Sequence, residues 1–494
     1  MQKHGLNLDI ERQDDYSKMQ SELVTCASQL ASGKKNCTNG ANFVTIMGDA
    51  GPAFFAGLNS QLSQLGPEYT AEIVGSAGRS FGEDKFMAPP AVAQDAKNGR
   101  GLLVAGVLKD GDWNIAMFWA AENEICNNPD PTTYDPDCLN WVSTPSFVEA
   151  DEKYIQGACC EDRPVVKNGK RVGETRNVCV NGVVTWTPGD VAVAKKKGGL
   201  VSVLSTRENG SQMANAIIGI KKWNSENRPV VEGMLRAIFE GGDLVKSGGM
   251  TVLRRAGDAS AKIYKEETGA YWAKYYRGVE EEDAQGNLVS LGGSRVFNLA
   301  DNVRYFGLEP GAANAYAATY TLFGDIAKQQ YPADLPSYPP VTDILNTSFI
   351  QSILESGATK GVVDAPVFTE APVTSEVIAK RSWHITFDTA KATFGKGASS
   401  QLDDLTKALV VASDTVVEIH GHTDNVGNPE SNKVLSLARA NAVKSFLERT
   451  APANFPSGRL VVVAHGQDSP AAPNDTPDGR AKNRRVDIIL KSNR

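Results

Sequence analysis

The stretch Glu418-Ile-His-Gly-His-Thr-Asp-Asn-Val-Gly427, followed by Asn432 and Leu435-Ser-Leu-Ala-Arg-Ala-Asn-Ala-Val443, presents an acid, Asp424, and a base, Arg439, across a polar turn. Such a pair can grip a ligand that carries both an ammonium and a carboxylate. The guanidinium meets a carboxylate with two parallel donors, a fork that lysine at 439 would lose. A second chemistry is offered by Glu418, His420 and His422, which alternate along one strand and share a face. They are candidate metal ligands, but they lack the fourth committed ligand of a structural metal site. No Gly-x-Ser-x-Gly, Walker A loop or His-Glu-x-x-His occurs. The expectation is therefore a protein with no catalytic group, no metal and no cofactor.

Three elements must position the pair: a strand over 416–420, the turn with Asp424, and a helix that returns Arg439 toward the turn. Leu435, Ala438, Ala442 and Phe446 recur at helical spacing and predict the buried face. Arg439 then falls at its margin, stem packed and head at the surface. Asp424 lies just before the helix N-terminus, which favours a negative charge.

A chain of 494 residues exceeds one ordinary core, so two or three domains are expected. With 41% apolar and 22% charged residues it should fold throughout. A net charge of −7 gives no basic field for nucleic acid, and the run Lys195-Lys196-Lys197 reads as a solvated face. No window approaches the roughly 18 to 20 apolar residues of a membrane span. The amphipathic start at Met1 carries no export signal, so any signal peptide has been removed or lies outside the sequence. Among seven cysteines, Cys26 with Cys37, Cys126 with Cys138, and Cys179 with Cys159 or Cys160 close short loops. One is left over. Such bridges imply an oxidising compartment, and no Cys-x-x-Cys spacing supports zinc.

From the N-terminus, an amphipathic strand is expected over 6–11, then a helix over 16–30, a strand over 43–47, a helix over 52–65 and a strand over 72–74. The strand 101–107 and the run 114–121 continue the alternation, which argues for α/β organisation. Asp110-Gly-Asp-Trp-Asn114 has the opening oxygen positions of a calcium loop without its later ligands, and reads as a turn. Turn formers crowd 123–180, which predicts a Cys-rich irregular insertion. Strands resume over 182–188, 200–204 and 216–220, followed by a helix bearing Val230, Met234, Ile238 and Phe239. The chain then reads mainly helical to 357, with loops at 280–293 and 331–340. Residues 358–380 read as an extended linker before a last domain over 381–494.

Lys3-His-Gly-Leu-Asn-Leu-Asp-Ile10 with Asp14-Asp-Tyr-Ser-Lys-Met-Gln20, Val183-Val-Thr-Trp-Thr-Pro188, and Ser205-Thr-Arg207 before Ala216-Ile-Ile-Gly219 resemble periplasmic solute-binding proteins of nitrate, sulfonate and taurine importers. The resemblance implies a two-lobed α/β domain over 1–357, a ligand cleft and an inner-membrane importer as partner. Helix N-termini at such a cleft suit an anionic or zwitterionic solute. Gly75-Ser-Ala-Gly-Arg-Ser-Phe-Gly82 would supply the cradle with Ser76, Arg79 and Ser80, joined by Thr206 and by Trp186 as a wall. That group opens with an export signal and a further strand, both of which precede Met1 in this likeness.

The last domain resembles the OmpA-like peptidoglycan-binding domain. The likeness rests on Ile385-Thr-Phe-Asp388 as opening strand, a helix over 402–409, Gly421-His-Thr-Asp-Asn-Val-Gly427, Asn432, Leu435-Ser-Leu-Ala-Arg-Ala440, Gly466, and Gly479-Arg-Ala-Lys-Asn-Arg-Arg-Val486. It implies a small α/β fold that binds the diaminopimelate residue of the peptidoglycan stem peptide. Asp424 would take the ammonium and Arg439 a carboxylate, with Thr423, Asn432 and Arg485 around them. Together the two likenesses imply a periplasmic, cell-wall-associated protein of a Gram-negative-type envelope. The alternative is a structural envelope protein whose first domain binds another protein.

Overall fold

The computed structural model describes residues 2–13, 15–157, 160–369, 376–388 and 390–493. Helix Tyr16–Ala31 starts at Asp15, whose carboxylate accepts the N–H groups of Ser17 and Lys18, and it buries Met19, Leu23, Cys26, Ala27 and Leu30. Strand Phe43–Met47, helix Gly51–Leu62 and strand Ala71–Gly75 follow. The two strands flank Asn215–Ile220 in a three-stranded antiparallel sheet. Between those visits the chain crosses to a six-stranded sheet. Its order runs Val201–Ser205, Lys85–Ala88, Gly182–Thr185, Leu103–Gly106, Cys138–Ser143 and Cys126–Asn127. The last four are mutually parallel, and Lys85–Ala88 is antiparallel to both neighbours. Two sheets joined by two crossing segments thus make a mixed α/β body.

Several expectations change here. Residues 6–11 form no strand: Leu8 and Ile10 are 42% and 60% exposed, and no sheet edge receives them. The stretch 123–180 is not an irregular insertion. Its densest run of turn formers covers 128–137, and beyond it lie strand Cys138–Ser143 inside the sheet, helix Phe147–Ile155 and the hairpin Cys160–Lys167 with Lys170–Cys179. The expected loop at 280–293 is largely a hairpin, Val279–Glu282 with Leu288–Leu291, because Val289 and Leu291 are buried against the second sheet's helices. Asp110-Gly-Asp-Trp-Asn114, expected as a turn, is instead the N-cap and first residues of helix Gly111–Glu122. Disulfides join Cys26 to Cys37, Cys126 to Cys138 and Cys160 to Cys179. Cys159 lies outside the described residues.

The C-terminal domain is a four-stranded sheet ordered Val377–Trp383, Val486–Ser492, Thr415–His422 and Leu460–Gly466, with helices Ala398–Val411, Pro429–Thr450 and Pro477–Asn483. Thr415–His422 and Leu460–Gly466 are parallel, and the other pairs antiparallel. Its opening strand is Val377–Trp383 rather than 385–388, where Phe387 makes only an isolated bridge to Phe394. The expected linker is bonded to the N-terminal body at several points, although Val362 and Val367 are 80% and 82% exposed. The Lys360 carbonyl accepts the N–H of Ala300 at 2.8 Å, the Val362 carbonyl accepts Asn298 Nδ2 at 3.0 Å, and Asp364 donates its N–H to Asp301 at 2.9 Å. Residues 370–375 of that linker lie outside the described residues. The two bodies are also bonded directly, through Arg381 to Glu122 at 2.8 Å and Asn454 Oδ1 to the N–H of Ala313 at 2.8 Å. Where it is described, the connection is tied to the N-terminal body by these hydrogen bonds.

Candidate functional site

Strand Thr415–His422 ends at the turn that carries Asp424, and helix Pro429–Thr450 begins at Asn428, whose side chain accepts the N–H groups of Glu430 and Ser431. Helix and strand approach so closely that a Cβ at Gly421 would stand 2.2 Å from the Ser436 carbonyl oxygen, so only glycine fits. This contact turns the helix away from its expected orientation. The buried face is Asn432, Ser436, Arg439, Ala440, Val443 and Leu447, whereas Leu435, Ala438, Ala442 and Phe446 are only partly buried. The buried polar members hold the loop backbone. Asn432 Nδ2 donates to the carbonyls of Asp424 and Val426 at 3.2 Å each and to Gln467 Oε1 at 2.8 Å, and Ser436 Oγ accepts the N–H of Gly466 at 2.9 Å.

Arg439 is accordingly inside the domain, 6% exposed, and not at a margin. Its Nε donates to the Lys391 carbonyl at 3.0 Å and its guanidinium lies 5.1 Å from the centre of the Phe387 ring. Among the described residues no acceptor bonds its two Nη groups and no carboxylate pairs with it. Burial and the neighbouring Arg484 pull its pKa down, and Asp424 partly restores it. Asp424 accepts the N–H of Val426 at 3.1 Å and pairs with Arg484 Nη1 at 2.7 Å, the Arg484 side chain being 46% exposed. Thr423 is bound through its N–H to the Gly466 carbonyl at 2.8 Å, with its hydroxyl buried and unpartnered. The structure thus gathers Thr423, Asp424, Asn432 and Arg439, and adds Arg484, which was overlooked. Arg485 is committed elsewhere, to Asp487 at 2.9 and 3.1 Å.

The parity of the last strand explains that division. Arg485 and Asp487 share a face, where they meet the histidines, and Arg484 points to the turn. On the histidine face His420 Nδ1 lies 2.8 Å from His465 Nε2, the rings of His422 and His465 stack at 4.6 Å, and His420 Nε2 lies 3.0 Å from Glu418. Among the described residues no group of three or more potential ligands could hold a metal ion. Burial, then mutual repulsion among the imidazoles, lowers the pKa of His465, and burial lowers that of His420 against the pull of Glu418. A depressed folded pKa contributes stability that is present above the ordinary value near 6.5 and lost as pH falls through the folded one. Between about pH 7 and pH 5 the wild type should therefore lose more thermal stability than His465→Asn. Parallel melting curves across that range would count against this account.

In the N-terminal body, Arg79, Ser80 and Trp186 line one cleft of about 390 Å³ between the two sheets. Ser76 and Thr206 do not join them. Ser76 donates its N–H to Asn302 at 2.9 Å, and the Thr206 hydroxyl is used by Ser80 at 2.6 Å and by the N–H of Gly82 at 2.8 Å, so both hold the crossing segments together. Arg79 donates to the Gly210 carbonyl and lies 3.7 Å from Asp414 of the C-terminal domain.

Residues 386–484 match the OmpA family, which makes the C-terminal domain an OmpA-family domain. Over 140 residues the chain is 34% identical to the outer membrane protein Omp38 of Acinetobacter baumannii, covering 26% of this chain and 39% of that protein. Over 89 residues it is 38% identical to the peptidoglycan-binding protein ArfA of Mycobacterium bovis, covering 18% and 26%. The crystal structure of the peptidoglycan-associated lipoprotein from Burkholderia pseudomallei aligns with 25% identity over 22% of this chain and 90% of that one, with a TM-score of 0.20. The chain spans less than half the length of these curated relatives. The family match covers none of residues 1–357.

Proposed function

We propose that this chain is a non-enzymatic envelope protein whose C-terminal domain binds the diaminopimelate-containing stem peptide of peptidoglycan. It would hold an N-terminal domain of solute-binding type in the periplasm beside the wall, within reach of an inner-membrane importer. The observation that carries the first part is the open guanidinium fork of Arg439 next to Asp424. A ligand carboxylate takes that fork, and a ligand ammonium takes Asp424 in place of Arg484. An exposed ion pair of the Asp424–Arg484 kind is worth about 0–1 kcal/mol, so the exchange is cheap. Arg484 is then free for a second carboxylate, which matches a ligand with one ammonium and two carboxylates. The name of the mycobacterial relative, a peptidoglycan-binding protein, supports the same reading. For the N-terminal body the support is the cleft, whose volume is within the range of small-molecule sites.

Retention of the purified chain on peptidoglycan sacculi tests the first part. Asp424→Ala and Arg439→Ala should each weaken it at least about thirty-fold, because each leaves a charged partner unmatched. Arg439→Lys should fall between, keeping the charge and losing the fork. Undiminished retention of both alanine variants would sink the wall-binding reading.

A further inference from the structure

The seam between the two N-terminal sheets is lined with aromatic rings: Phe147, Trp186, Tyr264, Trp272 and Tyr276. Trp186 stands edge-on to Phe147 at 5.0 Å, and Trp272 lies between Tyr264 and Tyr276 at 5.2 and 5.7 Å. The guanidinium groups on the same cleft are already matched by carboxylates. Arg12 pairs with Glu266 at 2.5 Å, Arg295 with Asp364 at 3.3 Å, and Arg79 faces Asp414 at 3.7 Å. Glu83 is in the opposite condition. It accepts from the Ser294 hydroxyl at 2.5 Å, and among the described residues no cation lies within ion-pair distance of it. The nearby Lys85 is taken by Asp190 at 2.5 Å.

Behind Glu83 stand Asp84, Asp112, Asp110 and Asp49, likewise without an ion pair among the described residues. Burial first, then mutual repulsion, pushes the Glu83 carboxyl up to about 8, and burial, only partly offset by hydrogen bonds, holds Asp84 up at about 6. Two further polar groups on the cleft have no hydrogen-bond partner: the hydroxyl of Thr187 and the indole N–H of Trp272, in residues 3% and 4% exposed. The cleft therefore combines π-faces, which carry negative electrostatic potential, with one lining carboxyl, Glu83, that has no counter-ion among the described residues, and its fixed cations are already spoken for.

We propose that this cleft binds a small organic cation, an alkylammonium or quaternary ammonium group seated against Trp186, with Glu83, ionised by the bound charge, as its counter-ion. The assignment rests on reading the N-terminal body as a solute-binding domain, and it reverses the anionic preference that the glycine-rich stretch 75–82 suggested. Each guanidinium on the cleft already faces a carboxylate, which leaves Glu83 as the lining group whose charge is still to be balanced when it ionises.

Calorimetry and thermal shift on the full chain test it, with choline and tetramethylammonium chloride set against sodium phosphate, nitrate and methanesulfonate at equal ionic strength. Choline should bind and raise the melting temperature. Trp186→Ala and Glu83→Gln should each weaken it about tenfold or more, with Trp186→Phe restoring most of the loss. Binding of an anion without either cation would overturn the cation assignment and leave solute binding standing. Binding of no probe would overturn both. Choline binding unaltered in Trp186→Ala and Glu83→Gln would put the site elsewhere and equally overturn the proposal.

Discussion

Replacing Arg459 with methionine should cost the C-terminal domain about 3–5 kcal/mol, enough to abolish or badly broaden its cooperative unfolding. Arg459 is fully buried. Its Nη2 donates to the carbonyls of Leu409 and Ala412 at 2.6 and 2.7 Å, its Nη1 to that of Asn454 at 2.5 Å and its Nε to that of Thr415 at 3.2 Å. Two of these acceptors lie at the C-terminal end of helix Ala398–Val411, where carbonyls have no partner within the helix and carry the negative end of its dipole. One planar cation thus closes a helix end, the turn after it and the start of the central strand. Burial pulls the guanidinium down to about 10, which leaves it charged at neutral pH. Methionine keeps much of the apolar contact with Phe455 but takes the shared donor away from four buried carbonyls, of which only that of Ala412 is seen to keep others, the N–H and hydroxyl of Thr415. Lysine keeps the charge and cannot reach all four, so Arg459→Lys should fall between. Because Asn454 also anchors Ala313, the methionine variant should expose the interface between the two bodies to limited proteolysis. A urea midpoint within error of wild type would remove this account of the domain.

How much of the C-terminal domain could be read in advance follows from distance along the chain. The strand, turn and helix that carry Asp424 and Arg439 are consecutive, and their order was legible. The helix orientation was not, because hydrophobic spacing selects Leu435 and Phe446, whereas the helix is seated by Gly421 and by two polar residues, Asn432 and Ser436, that serve as partners for loop backbone. Arg484 was missed for a related reason. In Asn-Arg-Arg-Val either arginine could face the turn, and only the pairing of the final strand, which commits Arg485 to Asp487, decides which one does. Strand parity counted back from Asp487 would have supplied that signal.

The N-terminal body shows the converse. Its alternation of strands and helices was legible, but composition misled over 123–180, where one dense turn hid the strand Cys138–Ser143 beside it. The acidic seam was invisible because Asp49, Glu83, Asp84, Asp110 and Asp112 come from separate loops and element ends, and only the close approach of two sheets brings them together. Read locally, the glycine-rich turn suggested an anion cradle. Its arginine instead faces the other domain's Asp414.

That seam should give the N-terminal body a pH dependence opposite to the one the histidines confer on the C-terminal domain. Asp49 is 2% exposed, and its carboxylate accepts from Gln212 Nε2 at 2.8 Å through one oxygen while the other has no partner. Burial outweighs that hydrogen bond, and with repulsion from Asp110 and Asp84 it pushes the group up to about 7. An acid whose pKa is raised on folding contributes stability that is fully present below its unfolded value near 4 and lost as pH rises through the folded one. A shift of this size corresponds to a loss on the order of 4 kcal/mol by about pH 8. Asp49→Asn keeps an acceptor for Gln212 and carries no charge. It should therefore melt several degrees above wild type at about pH 8, and the advantage should shrink toward pH 5. Asp49→Ala, which strands Gln212 in the core, should gain less at high pH and fall below wild type at low pH. A wild type and an Asp49→Asn variant whose melting temperatures decline equally with rising pH would mean that Asp49 ionises without penalty, and that the seam is solvated rather than closed around its carboxyl groups.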